Sequence, residues 1–295
     1  MIVNRCAPVF VYLYVNQNIQ PALSSRIRAV VGYGLLALLI TVLAGGIWTV
    51  LLVINLTTSP AIPWAVVVMA VLLWLFWQYM SGKGWPRGTS QARRRYLRAT
   101  PLSGRVFVWA LVAGLLAIVA LVGYWIVLFQ LVKVQGNKLP DFTQYPLLTL
   151  LLVLVMGSLV TSVAEEAAFR GYYQSVLERE VGGVAAVLIA ALVIVPGHGL
   201  TQGFAWPTVL FYLLVDVTFG VMAYLTHSIL PGLVVHFVGL LVFFTLVWPF
   251  DATRQLVNDG GADIWFWLHV AQAIIFTVLA LLAFRQLARV ASYQK

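Results

Sequence analysis

The chain has 295 residues, of which 62% are hydrophobic and only 9% charged, with a mean hydropathy of +0.96. No soluble core holds that much apolar residue, so a water-soluble domain is excluded and the fold class is an all-α, polytopic membrane helix bundle. The formal net charge of +9 speaks to orientation and anionic lipid headgroups, and no nucleic-acid partner is expected.

Residues 1–28 read as an interfacial lead-in. The apolar piece 8–15 is too short for a signal sequence, and no small-residue cleavage site follows it. The single cysteine, Cys6, excludes an internal disulfide framework. Eight apolar stretches then follow at about 29–55, 61–80, 106–132, 146–168, 182–198, 207–226, 229–249 and 264–284, so about eight transmembrane helices are expected. The fourth should continue as an amphipathic piece through Glu178, Arg179 and Glu180 until Gly182-Gly183 stops it. The fifth is the shortest and ends at Pro196-Gly197, which marks it as broken or partly crossing. Residues 29–142 thus form an accessory unit of three helices, 143–250 a core of four, and 251–295 a last helix with a basic tail.

The basic residues are distributed unevenly. A loop at 81–105 carries Lys83, Arg87, Arg93, Arg94, Arg95, Arg98 and Arg105. With Arg5, Arg26, Arg28, Arg170, Arg179, Arg285, Arg289 and Lys295, one side receives fifteen of the eighteen Lys and Arg residues. Only Lys133, Lys138 and Arg254 fall on the other side, beside Asp141, Asp251, Asp259 and Asp263. The positive-inside rule then puts both termini in the cytoplasm, as an even helix count requires, and a bacterial plasma membrane is the expected location.

Few ionisable residues lie inside the apolar stretches, and they concentrate the chemistry. The run V-A-E-E-A-A-F-R-G-Y at 163–172 places Glu165, Glu166 and Arg170 at the end of the fourth. Each charge near mid-bilayer costs roughly 2.5 kcal/mol or more, so such groups face a bundle interior or a wet cavity and carry function. On an α-helix Glu166 and Arg170 share a face and form an ion pair, while Glu165, about 100° away, stays free for chemistry. His198, Asp216, His236 and His269 are the other candidates. A carboxylate with two imidazoles can activate water or hold a metal. There is no H-E-x-x-H and no G-x-S-x-G, which excludes an ordinary zincin and argues against a serine mechanism.

The run E-E-A-A-F-R-G from Glu165, His198 in its Pro-Gly context, and T-H-S-I-L-P-G-L-V-V-H ending at His236 resemble the CAAX-protease and bacteriocin-processing family of intramembrane endopeptidases. The resemblance covers about residues 145–250 and rests on the patterns E-E-x-x-x-R, F-x-x-x-H and H-x-x-x-N/D. Ile194 replaces the Phe of the second, and Leu240 the Asn or Asp of the third. The resemblance implies that Glu165 and His198 activate a water, that His236 steadies the oxyanion, and that Glu166 and Arg170 support them. It also leaves room for one divalent metal such as zinc on Glu165, His198 and His236, or for none. Its substrates would be membrane-embedded or lipid-anchored peptides and proteins.

Leu240 removes a polar donor one turn from His236, and losing an oxyanion donor costs ~10²–10³ in rate. Asp216, His269 and Gln272 are the candidates to replace it. Two further readings stay open, a weak or inactive membrane scaffold or immunity factor and a proton-coupled transporter. With straight helices, Glu165 falls near the cytoplasmic side and His198 toward the far side, so bringing them together needs a tilted or offset helix.

Overall fold

A computed structural model describes residues 23–133 and 145–292 of the chain. The lead-in at 1–22 with Arg5 and Cys6, and the residues Lys138, Asp141 and Lys295, lie outside the described residues. Among the described residues the chain is helical and has no strand. Seven helices are long and apolar enough to cross a membrane: α1 (Arg26–Thr58), α4 (Gly104–Leu131), α5 (Leu147–Val181), α6 (Gly183–Gln202), α7 (Trp206–Thr226), α8 (Leu230–Val242, continuing to Asp251) and α9 (Ile264–Ser292). The stretch expected at 61–80 forms α2 (Trp64–Met80), whose 17 residues give about 25 Å, short of a 30 Å hydrocarbon core. The molecule is an integral membrane helix bundle. Its outer faces carry bare Leu35, Leu39, Val42, Trp74, Ile274 and Leu281, which water would not tolerate and lipid does.

Small residues let the helices approach. On α4, Ala110, Ala113, Ala117 and Ala120 are buried, and on α9 Ala273, Ala280 and Ala283. A Cβ on Gly123 would sit 2.9 Å from the backbone N of Ala273. Alanine and glycine there allow backbone-close packing where lipid supplies no hydrophobic drive.

The segment expected as a plain basic loop is structured. It contains a short 3₁₀ turn (Arg87–Thr89) and α3 (Ser90–Leu97). Arg93 is buried and gives its guanidinium hydrogens to the carbonyls of Tyr79, Pro86, Lys83 and Gly84. It therefore closes the loop on itself and is not part of a free basic face. Arg98 pairs bidentately with Glu178 of α5, and the Arg98 carbonyl accepts from Ile229 N at 3.0 Å. Tyr173 donates to the Val30 carbonyl of α1 at 2.8 Å. Leu287 and Val290 of α9 pack with Val106 of α4. These contacts gather the start of α1, the basic segment, the end of α5, the α7–α8 turn and the end of α9 at one end of the bundle.

At the opposite end Trp125 donates to Asp251 at 2.9 Å, and Asp251 pairs with Arg254. Burial lowers the Arg254 guanidinium to about 10, because desolvation penalises its charge.

Two helix readings change in the structure. α6 does not end at Pro196. It runs through that proline to Gln202, the next residue, Gly203, turning the chain at φ +86°. α5 is one continuous helix of 35 residues whose stretch Glu166–Tyr173 is wound as a π-helix. Gly182, at φ +84°, reverses the chain between α5 and α6 in a conformation that a Cβ would strain.

Candidate active site

The α5–α6 reversal sets the depth of the site. Glu165 stands seventeen residues before Gly182 and His198 sixteen after it. At about 1.5 Å rise, both lie roughly 25 Å from the turn, so an antiparallel pair holds them level. The expectation that they fall at opposite depths fails because it measures each helix from its own membrane surface. The turn they share is the correct reference.

Glu165 (α5), His198 (α6) and His236 (α8) line one cavity of about 260 Å³ between α4, α5, α6, α7 and α8. Its remaining wall is mostly apolar and aromatic, with Leu121, Trp125, Phe211, Phe219 and Phe243 prominent. Glu165 and His198 keep 14% and 19% of their side chains exposed, whereas Glu166 keeps none. Glu165 is thus the accessible carboxylate and Glu166 the enclosed one.

The π-helix changes how these residues face one another. Widening the turn toward an i→i+5 repeat brings Glu165 round to Arg170, five residues on, as well as Glu166. Arg170 Nη1 lies 4.0 Å from Glu165 Oε2, and its Nε lies 3.8 Å from Glu166 Oε1. Its closest acid is neither of them. Arg170 Nη2 hydrogen-bonds Asp216 Oδ1 of α7, a pair buried on both sides. The simple Glu166–Arg170 pair read from an α-helical face therefore becomes one guanidinium among three carboxylates.

Glu166 has a second task. Its Oε1 lies 3.2 Å from His236 Nδ1, which turns Nε2 toward Glu165 Oε2 at 3.9 Å and toward the cavity. The approach to His236 is built to place it. Ser228 donates to the Thr100 carbonyl at 2.7 Å and accepts from Leu230 N at 3.3 Å, tying the start of α8 to the basic segment. Pro231 follows in the first turn, where its missing N–H costs nothing. A Cβ on Gly232 would come within 2.5 Å of Glu166 Oε2, so this position has to stay bare for α8 to reach the carboxylate.

Helix α7 supports both imidazoles, which the sequence reading missed. Tyr212 stacks on His198 with ring centroids 3.9 Å apart and planes 5° from parallel. Phe219 stacks on His236 with ring centroids 4.6 Å apart, and the Arg170 guanidinium carbon lies 5.6 Å from the Phe219 ring centre. Asp216, between them, also lies 3.9 Å from His198 Nε2 through its Oδ2. Positions 212, 216 and 219 recur at helical spacing on one face, and that periodicity, centred on a lone acid, was the signal available.

The remaining sequence candidates fall elsewhere. His269 lies outside the cavity, with its Nδ1 2.9 Å from Gln272 Oε1, and Gln272 donates to the Val119 carbonyl of α4 at 2.8 Å. Both belong to the α4–α9 contact, so neither can replace a donor beside His236. Asp216 is held by Arg170. Ile194, at the position of the Phe in the second pattern, is buried against Ala37, Phe169 and Tyr173 and does not line the cavity. Leu240 does line the cavity, one turn after His236. Among the described residues no group of three His, Cys, Asp or Glu side chains is placed to share a metal ion. Glu165, His198 and His236 face a common space, but their ligating atoms are not gathered closely enough to hold one metal ion as they stand.

The comparison with known families points to the same segment. Residues 147–242 match the family model described as type II CAAX prenyl endopeptidase Rce1-like. Neither a curated protein nor a solved structure matches the chain. The matched segment, from α5 to α8, carries Glu165, His198, Gln202, Tyr212 and His236 of the cavity wall and is similar to the type II CAAX prenyl endopeptidase family.

Proposed function

We propose that the protein is an intramembrane endopeptidase that hydrolyses peptide bonds of membrane-embedded or lipid-anchored substrates. The observation that carries this reading is the convergence of Glu165, His198 and His236, from three helices, on one apolar cavity. Glu165, the accessible carboxylate, takes a proton from a water while that oxygen adds to the scissile carbonyl carbon. The 3.9 Å gap between Glu165 Oε2 and His236 Nε2 admits a carbonyl oxygen or water within reach of both. With Nδ1–H given to Glu166, the imidazolium form of His236 would also donate its Nε2–H to the developing oxyanion. The C–N bond then breaks, and the proton passes from Glu165 to the leaving nitrogen. His198, held flat by Tyr212, steadies the water from the α6 side. Glu166, Arg170 and Asp216 position the two catalytic walls and touch no substrate.

The gathered basic residues support a cytoplasmic position for the end of the bundle with α3, and with it the start of α1 and the end of α9. A second reading, a weak or inactive family member acting as a membrane scaffold or immunity factor, is favoured by Leu240 facing the cavity.

The test is cleavage of a membrane-tethered reporter peptide by the purified full chain in liposomes, with product ends read by mass spectrometry. Wild type should cut, and Glu165→Gln and His198→Ala should not, at equal folded concentration. An inactive wild type supports the scaffold, and cleavage that survives Glu165→Gln refutes the assignment.

A further inference from the structure

The apolar Leu240 occupies the place where the family pattern carries a carboxamide or carboxylate, yet the cavity is not without a carboxamide. Gln202, the last residue of α6, lines the same cavity. It stands four residues after His198, in the order H-G-L-T-Q, so it lies one turn on and on the same face as that imidazole. The histidine-x-x-x-amide arrangement missing from α8 is therefore present on α6, across the cavity.

The other polar groups of the wall are poorly suited to the task. Glu165 and His198 handle the water, and His236 already provides its one Nε2. Tyr212 is stacked flat on His198, which fixes its ring against the wall. Thr161 carries its hydroxyl on Cβ and cannot reach across the space. Gln202 has two N–H donors at the end of a three-carbon arm, on a helix end that Gly203 turns away at once. Among the described residues its carboxamide has no hydrogen-bond partner.

We infer that Gln202 is a catalytic residue whose side-chain N–H, with Nε2–H of His236, binds the oxyanion of the scissile carbonyl in place of the residue missing at Leu240. The inference rests on the endopeptidase reading. It also gives Leu240 a role, since an apolar wall there leaves His236 as the donor that α8 offers a substrate carbonyl and the amide of α6 as the second.

The experiment compares wild type, Glu165→Gln, Gln202→Leu, Leu240→Asn, Tyr212→Phe and the double variant Gln202→Leu/Leu240→Asn. Each is the full chain in liposomes acting on the tethered reporter peptide, with thermal unfolding as a check on folding. Gln202→Leu should lower kcat by ~10² or more, the worth of one oxyanion donor, with KM little changed and the unfolding midpoint unmoved. Leu240→Asn should recover at least ~10-fold of that loss in the double variant while adding little to wild type. Wild-type cleavage that Glu165→Gln abolishes but Gln202→Leu leaves intact overturns this inference and keeps the endopeptidase. A loss that Leu240→Asn fails to recover, or one that Tyr212→Phe shows and Gln202→Leu does not, overturns it as well. If wild type does not cut, or Glu165→Gln cuts as fast, both the endopeptidase reading and this inference fall.

Discussion

Glu166 holds two neighbours at once, taking Nδ1 of His236 at 3.2 Å and lying 3.8 Å from Arg170, with no exposed surface of its own. Glu166→Gln keeps the volume but removes the charge, leaving a buried guanidinium short of one counter-ion. Removing one partner of a buried pair costs about 3–5 kcal/mol, and Asp216, which still holds Arg170, should keep the loss near the lower end. Glu165→Gln, at the accessible edge, should change stability far less and abolish cleavage. Unfolding midpoints of both variants in detergent decide this, and equal losses would show that the two carboxylates do not divide the work. That Glu165, His198 and His236 would face one cavity was legible in the sequence, because ionisable groups in apolar stretches are too costly to scatter. That Tyr212, Phe219 and Gln202 line the same cavity was not, because an aromatic or an amide in a membrane helix has many cheaper explanations until a histidine is seen near it.

Two helices do most to shape the site. The π-wound stretch of α5 brings both Glu165 and Glu166 within 4.0 Å of Arg170, a geometry that an α-helical wheel cannot represent. Helix α7 then supplies the tight acid and both stacking rings. Asp216→Asn should leave Arg170 to swing toward Glu165 and Glu166. The expected result is a loss of folded stability of about 3 kcal/mol and a fall in kcat through capture of Glu165. A variant that keeps both stability and kcat would mean that Arg170 needs only its own helix. The boundaries of α5 and α7 and the start of α9 were readable from hydropathy and from Gly182, whereas α9 runs on to Ser292, past the expected end at 284. The extension of α6 past Pro196 was not, because a proline in a helix is tolerated in a bundle where neighbouring groups compensate, and sequence alone does not display the neighbours. The fold of 81–105 escaped for a similar reason. Arg93 reads as one of a basic run, and only the carbonyls around it reveal a buried cap.

Over the whole molecule, one end collects the basic segment, the end of α5 and the end of α9, and the other holds Asp251 and Arg254. In a Cys6→Ser background, Arg94→Cys should react with a membrane-impermeant thiol reagent from the cytoplasmic side, and Ala262→Cys from the opposite side. Labelling of both from one side would overturn the proposed orientation. The cavity lies between these ends, level on α5 and α6, so the proposed reaction requires a water to be delivered and activated inside the bundle. The most direct measurement of that claim is a single turnover on the tethered peptide in ¹⁸O-labelled water, followed by mass spectrometry of both product and protein. If Glu165 acts as a base, one labelled oxygen appears in the new product carboxylate and none in the Glu165 side chain. Label in Glu165 would mean that the carboxylate attacks the carbonyl itself, and would contradict the account.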